Sequence, residues 1–133
     1  MQFGIPEVKR GLVAAAGGLS RLPQALPYPI AMEMALTGDP ISAGRAHDLG
    51  MVNRLTEPGA ALEEALTLAA RIAENGPLAI RTSKWIMATA TGWSRPEIWQ
   101  EQAARVREVM ASADATEGAT AFAEKRAPQW SGH

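Results

Sequence analysis

FGIPEVKRGLVAAAGG, residues 3–18, decides how the rest of the chain is read. Phe3-Gly4-Ile5 ahead of Pro6 favours extended backbone, because the residue before a proline avoids the helical region and Gly4 weakens helix further. Glu7 then stands in a Pro-Glu-Val context with Lys9 and Arg10 behind it, and a run of small residues closes on Gly17-Gly18. The stretch aims a carboxylate toward a tight backbone turn. Each part also has an ordinary explanation: Glu7 as a surface partner of Lys9 or Arg10, and Gly17-Gly18 as a place of close packing at a helix start.

Outward from this stretch the pattern is helical. Leu19, Leu22 and Leu26 share a face, with Pro23 expected to interrupt any regular helix. IAMEMALTG reads as a short helix that stops at Gly38, and Ser42 caps another through Asp48 after the Asp39-Pro40 turn. Residues 51–55 read as a short extended piece. Leu62, Leu66, Ala69, Ala70 and Ala73 repeat at helical spacing up to Asn75-Gly76, and Pro77 opens a further helix. Ser94-Arg-Pro-Glu97 is a capping box, and Asp114-Ala-Thr-Glu117 reads as the same device opening a last helix to about Arg126. The fold class is therefore mainly α with two short β pieces. Two such strands alone are marginal in water, so the segment from Phe3 to Val8 is expected to join a sheet supplied by another chain or by a longer parent protein.

Composition narrows the function. The 133 residues are 47% hydrophobic and 20% charged with a net charge of −1, and thirteen basic residues against fourteen acidic ones give no phosphate-binding surface, so nucleic acid is not an expected partner. The absence of cysteine removes disulfides, thiolate metal sites and cysteine nucleophiles. His47 and His133 are too few and too far apart to suggest a metal site, and His47 beside Asp48 reads as a surface residue. Trp85, Trp93, Trp99 and Trp130 are expected in packing or subunit contacts, and Met32, Met34, Met87 and Met110 as adaptable core filling. No run approaches the roughly 18 apolar residues of a membrane span, so no membrane partner and a cytoplasmic location are expected.

Three separated motifs carry a resemblance. FGIPEVKRGL with AAAGG and RLP, then MALTGDPISAGRAHDLGMVNRL, then SADATEGATAFAEKRAPQW, stand in the order found in the crotonase superfamily, the enoyl-CoA hydratases and isomerases. This chain resembles the C-terminal portion of that α/β spiral fold. The resemblance implies one domain, residues 1–133, in which 1–55 end the spiral core with an active-site segment and 56–133 form a helical oligomerisation region. The family's first half supplies backbone N–H donors for the thioester oxygen and, in hydratases, a first catalytic glutamate.

For the site, the resemblance implies that Glu7 exchanges a proton with the α-carbon of an acyl-CoA thioester during hydration of a 2-enoyl-CoA. Such an acid or base must stand within roughly 3 Å of the reacting carbon, shielded among apolar groups. Ala15 matches the position whose backbone N–H helps hold the catalytic water, although Ala14 and Ala15 replace the proline and glycine common there. Phe122 and Lys125 match positions that contact the CoA bound by a neighbouring subunit; their spacing of three suits one helical face, and an aromatic ring with an ammonium suits a phosphorylated adenine nucleotide. No metal and no cofactor are implied, coenzyme A being part of the substrate. The implied partners are the acyl-CoA substrate and further copies in a trimer or hexamer, or a missing N-terminal half. Alternatives are an enoyl-CoA isomerase, a carnitinyl-CoA dehydratase-like activity, or a catalytically silent CoA-binding or helical assembly fragment.

Overall fold

The computed structural model describes residues 1–92 and 94–133, without the side chains of Thr91 and Arg95; Trp93 lies outside the described residues. The chain forms two compact units, Met1–Glu64 and Ala65–His133.

In the first unit, strand β1 (Gln2–Phe3) pairs antiparallel with β2 (Ile41–Ser42), Gln2 opposite Ser42 and Phe3 opposite Ile41. The chain thus supplies one partner for β1, and the extended segment is shorter than Phe3 to Val8. From Pro6 to Arg10 the backbone winds into a 3₁₀ turn, with Pro6 pre-set for its first position and Gly11 left-handed at its end. Helices α1 (Gly18–Ala25) and α2 (Tyr28–Thr37) follow, then α3 (Ala43–Asp48). Helix α1 runs through Pro23, contrary to expectation. The proline removes one donor, yet the N–H groups of Arg21 and Leu26 on either side still reach the carbonyls of Gly17 (3.2 Å) and Leu22 (3.0 Å).

Residues 51–55 are irregular rather than extended, and the second strand is Ile41–Ser42 instead. The N–H groups of Met51 and Val52, which a strand would use, both donate to the Ala46 carbonyl, at 2.9 and 3.3 Å. They close the end of α3. The caps stand as read: Ser42 Oγ accepts the Arg45 N–H, and Gly38 ends α2 at φ +68°. A small core gathers Leu26, Ala31 and Met34, with Leu22, Ile30, Ile41, Leu49 and Met51 packed around it. Of the four methionines expected as core filling, only Met34 is buried; Met32, Met87 and Met110 are exposed.

Helix α4 (Ala61–Ala73) leads into the second unit, followed by α5 (Pro77–Thr89), a short 3₁₀ turn, α6 (Arg95–Met110) and α7 (Ala113–Glu124). The Ser94 N–H donates to Glu97 at 2.7 Å, as a capping box requires. Asp114 is not a cap. Ser112 fills that role, accepting the Ala115 N–H at 3.1 Å. Asp114 is buried in the first turn of α7, where its carboxylate accepts from the Ser131 N–H (2.6 Å), the Ser131 hydroxyl (2.9 Å) and the Gly132 N–H (3.0 Å). Glu117, expected as the other half of that box, instead accepts two bonds from Arg126 (2.6 and 2.9 Å) and one from the Gln129 N–H (2.7 Å).

These two carboxylates clasp the C-terminal tail. Between them the Trp130 ring lies against Gly76 and Gly118, and its indole N–H donates to the Glu74 carbonyl at 2.7 Å. A Cβ at Gly118 would stand 3.3 Å from the ring, tighter than an ordinary van der Waals contact. Burial opposes ionisation of Asp114, but the donors of Ser131 and Gly132, with His133 nearby, together hold its pKa below the ordinary carboxylate value. For Glu117 the Arg126 hydrogen bonds, then the Gln129 N–H, bring it down to about 2 against the opposing effect of burial.

Two outcomes follow from this packing. Both carboxylates are depressed in the folded state, so the stability they contribute is full above the ordinary carboxylate pKa and lost as pH falls through their folded values. The NMR signal of the Trp130 indole N–H should therefore hold its native position from neutral pH to about 4 and move only as pH approaches the Glu117 value of about 2; movement already near neutrality contradicts the clasp. In the first unit, a Cβ at Gly38 would meet Lys9 Cγ at 3.0 Å and Val8 Cγ1 at 3.1 Å, in a left-handed backbone. Gly38→Ala should cost about 1–3 kcal/mol in urea unfolding, and an unchanged midpoint would contradict that contact.

Candidate active site

The 3₁₀ turn from Pro6 to Arg10 turns Glu7 toward a hollow of about 180 Å³ whose wall includes Ile5, Val8, Leu12, Val13, Leu19 and Leu36. The turn is closed by the N–H groups of Gly11 and Leu12, which donate to the carbonyls of Val8 and Glu7, both at 3.1 Å. Glu7 Oε2 is buried and, among the described residues, is the one buried side-chain polar atom with no hydrogen-bond partner. Buried oxygens are ordinarily paired, so one that is not calls for a reason.

The surface ion pair suggested for Glu7 is not formed by Lys9. Its ammonium lies 2.5 Å from Asp39 instead, an exposed contact across to the end of α2. None of the ion pairs among the described residues includes Glu7. The carboxylate is thus held in an aliphatic wall without a counter-ion. Such a group can give or take a proton at an apolar ligand carbon placed in the hollow, the arrangement general acid–base chemistry requires.

Gly17 opens α1 in the left-handed region, φ +84°, and its carbonyl accepts the Ser20 hydroxyl at 3.1 Å as well as the Arg21 N–H. A Cβ there would fall 2.5 Å from the Arg21 guanidinium, which reaches back to the Ala16 carbonyl at 3.0 Å. The glycine is required by this turn. Ala14 lines the same hollow as Glu7, while Ala15, next in the chain, sits exposed in the turn that precedes Gly17.

In the second unit, Phe122 is 88% exposed on the last turn of α7. It does not share a helical face with Lys125, because α7 ends at Glu124 and Lys125 is left-handed at φ 55°. His47 is half exposed with Nδ1 4.0 Å from Asp48. Trp85 carries the Arg105 guanidinium 4.1 Å over its ring, Trp130 packs as described, and Trp99 is exposed. Among the described residues no group of three or more histidine, aspartate or glutamate side chains is arranged to hold a metal, and no helix is long and apolar enough to cross a membrane. The aliphatic wall around Glu7 was not singled out by sequence, since Leu12, Val13 and Leu36 belong to three different local patterns. The tail-holding roles of Asp114 and Glu117 were missed because their spacing imitates a helix cap.

Comparison with known proteins gives the family of the chain. The sequence profile of the enoyl-CoA hydratase/isomerase family matches residues 1–133. A carnitinyl-CoA dehydratase of Salmonella arizonae is 39% identical over 98% of this chain and 52% of its own. An enoyl-CoA hydratase structure from Mycobacterium marinum is 57% identical with a TM-score of 0.95, and one from Mycobacterium tuberculosis is 56% identical with a TM-score of 0.94; each is covered over 52% of its length by 99% of this chain. The chain spans about half the length of the relatives it matches. Its mainly helical fold with two short strands is half of their crotonase architecture, and it belongs to the enoyl-CoA hydratase/isomerase family.

Proposed function

We propose that this chain is part of an enzyme that hydrates a 2-enoyl-CoA to the 3-hydroxyacyl-CoA, with Glu7 as acid and base. The observation that carries the reading is the buried, unpartnered Glu7 Oε2 in an aliphatic hollow. In this reaction Glu7 gives its proton to the α-carbon while the oxygen of a water bonds to the β-carbon. The proton shed by that water passes to the second carboxylate of the hydratase site, which belongs to the other half of the family's fold. The thioester oxygen, on which charge builds, is held by backbone donors from that half as well. Ala15 contributes its N–H to the water, and Phe122 with Lys125 contacts the CoA of a neighbouring copy.

The dehydratase relatives, 38–40% identical over 98% of this chain, favour a second reading in which the same carboxylate serves elimination of water from a hydroxyacyl-CoA such as carnitinyl-CoA. Isomerisation, with Glu7 shuttling a proton between carbons, uses the same group. No cofactor beyond the CoA of the substrate enters any of these steps, and the location in this reading is cytoplasmic.

Assembly is part of the proposal. Leu62, Leu66, Met87 and Trp99 are exposed along α4 to α6, which supports a trimer or hexamer that covers them. A larger hollow of about 260 Å³ beside β1, with Phe3, Ile5, Leu22 and Met51 in its wall, supports docking of the remaining half of the fold. A chain studied without that half would be catalytically silent. Crotonyl-CoA hydration by the protein competent for it should fall by about 10²–10⁴ in kcat for Glu7→Gln. Undiminished turnover in that variant would remove Glu7 from the mechanism, and turnover faster with carnitinyl-CoA than with crotonyl-CoA would favour the dehydratase reading.

A further inference from the structure

The turn at 37–40, Thr-Gly-Asp-Pro, joins α2 to β2 and touches the Glu7 segment at three points. Pro40 lies against Gly4, where a Cβ would stand 3.1 Å from the Pro40 Cβ. Gly38, left-handed at φ +68°, leaves bare backbone over which the Lys9 stem and the Val8 side chain pass. Asp39 then accepts the Lys9 ammonium at 2.5 Å.

Glu7 stands between these points, after Gly4 and before Lys9. Leu36, in the last turn of α2, shares the wall of its hollow. The 37–40 turn is braced in its own right. The Thr37 hydroxyl donates to the Glu33 carbonyl at 2.8 Å and accepts the Asp39 N–H at 3.1 Å. The place of Asp39 thus follows from α2, and the place of Lys9 from Asp39. Both members of that ion pair are exposed, and such a pair adds little to stability. Placement is where it can matter, because displacing a reacting group by about 1 Å can cost about 10²-fold in rate.

We propose that Asp39 is a positioning residue for the Glu7 carboxylate, acting through Lys9, and that the 37–40 turn is the platform that sets the Glu7 segment in register. This rests on the reading of Glu7 as acid and base. Asp39 lies outside the wall of the hollow, so its effect reaches the reacting carbon through Lys9 and the turn that carries Glu7.

The test has two arms, one of which needs no turnover. In the first, the full chain with labelled leucine methyl groups is compared by NMR with Asp39→Asn, Lys9→Met and the double variant. Leu12 and Leu19, which wall the hollow away from the pair, should shift alike in all three, while Leu66 in the second unit keeps its native signal. The second arm measures crotonyl-CoA hydration by the protein competent for it. Each single variant should lose roughly tenfold in kcat with KM within about twofold of native, and the double variant should lose no more than either, because the two residues act as a unit. Asp39→Glu, which keeps the charge, should retain kcat within roughly threefold, and all variants should melt close to the native temperature. Native Leu12 and Leu19 signals in both single variants, native kcat in Asp39→Asn, losses that add in the double variant, a lowered melting temperature that parallels the loss of kcat, or an Asp39→Glu rate as low as that of Asp39→Asn overturns the positioning role. With Glu7→Gln still slow, any of these leaves the reading of Glu7 standing. Undiminished turnover in Glu7→Gln overturns that reading and the positioning role together.

Discussion

A carboxylate oxygen shut away from water with no donor beside it is the constraint around which the first unit is arranged. Burying such an oxygen unpaired is unfavourable, and the surrounding structure must hold it there. Pro6 starts the turn that carries Glu7, Gly11 closes it, and Gly38 leaves the space that Val8 and Lys9 fill from the same turn. The Lys9 ammonium, the nearest cation in the chain after Glu7, is drawn to Asp39. That contact fixes the turn and at the same time leaves Glu7 without a counter-ion. Its buried oxygen stands unpartnered in the wall of the hollow, the arrangement that the proposed proton transfer would use.

The second unit solves a different problem by related means. Its tail is irregular, and irregular backbone needs partners for its N–H groups. Asp114 and Glu117 supply them along with a grip on Arg126, while the Trp130 ring is seated on two glycines. Strong charge-assisted bonds therefore replace a large apolar core. Apolar side chains along α4 to α6 stay exposed, as expected of a chain that spans about half the length of its relatives and shares their geometry over that half.

Much of this was legible in sequence, and the failures have common causes. Local signals that satisfy themselves within a turn were read as they stand: Gly38 ending α2, Ser42 and Ser94 opening helices, and the motif around Glu7 that marks the family. Signals whose meaning depends on distant partners were not. Asp114 and Glu117 have cap spacing but bind a tail some fifteen residues on. Residues 51–55 have strand composition, yet their first donors are taken by Ala46. Pro23 costs one bond, which an eight-residue helix absorbs. Lys125 is the sharpest case, because a lysine gives no warning of a left-handed backbone that its neighbours impose.

The central claim, that Glu7 moves a proton at the substrate's α-carbon, is tested most directly by following that proton. Incubation of 3-hydroxybutyryl-CoA with the active protein in D₂O, read by proton NMR, reports exchange at the α-carbon separately from net hydration. The account predicts stereospecific uptake of one deuteron at that carbon by the native protein and its loss in Glu7→Gln with coenzyme A still bound. Uptake at the native rate in Glu7→Gln would contradict it.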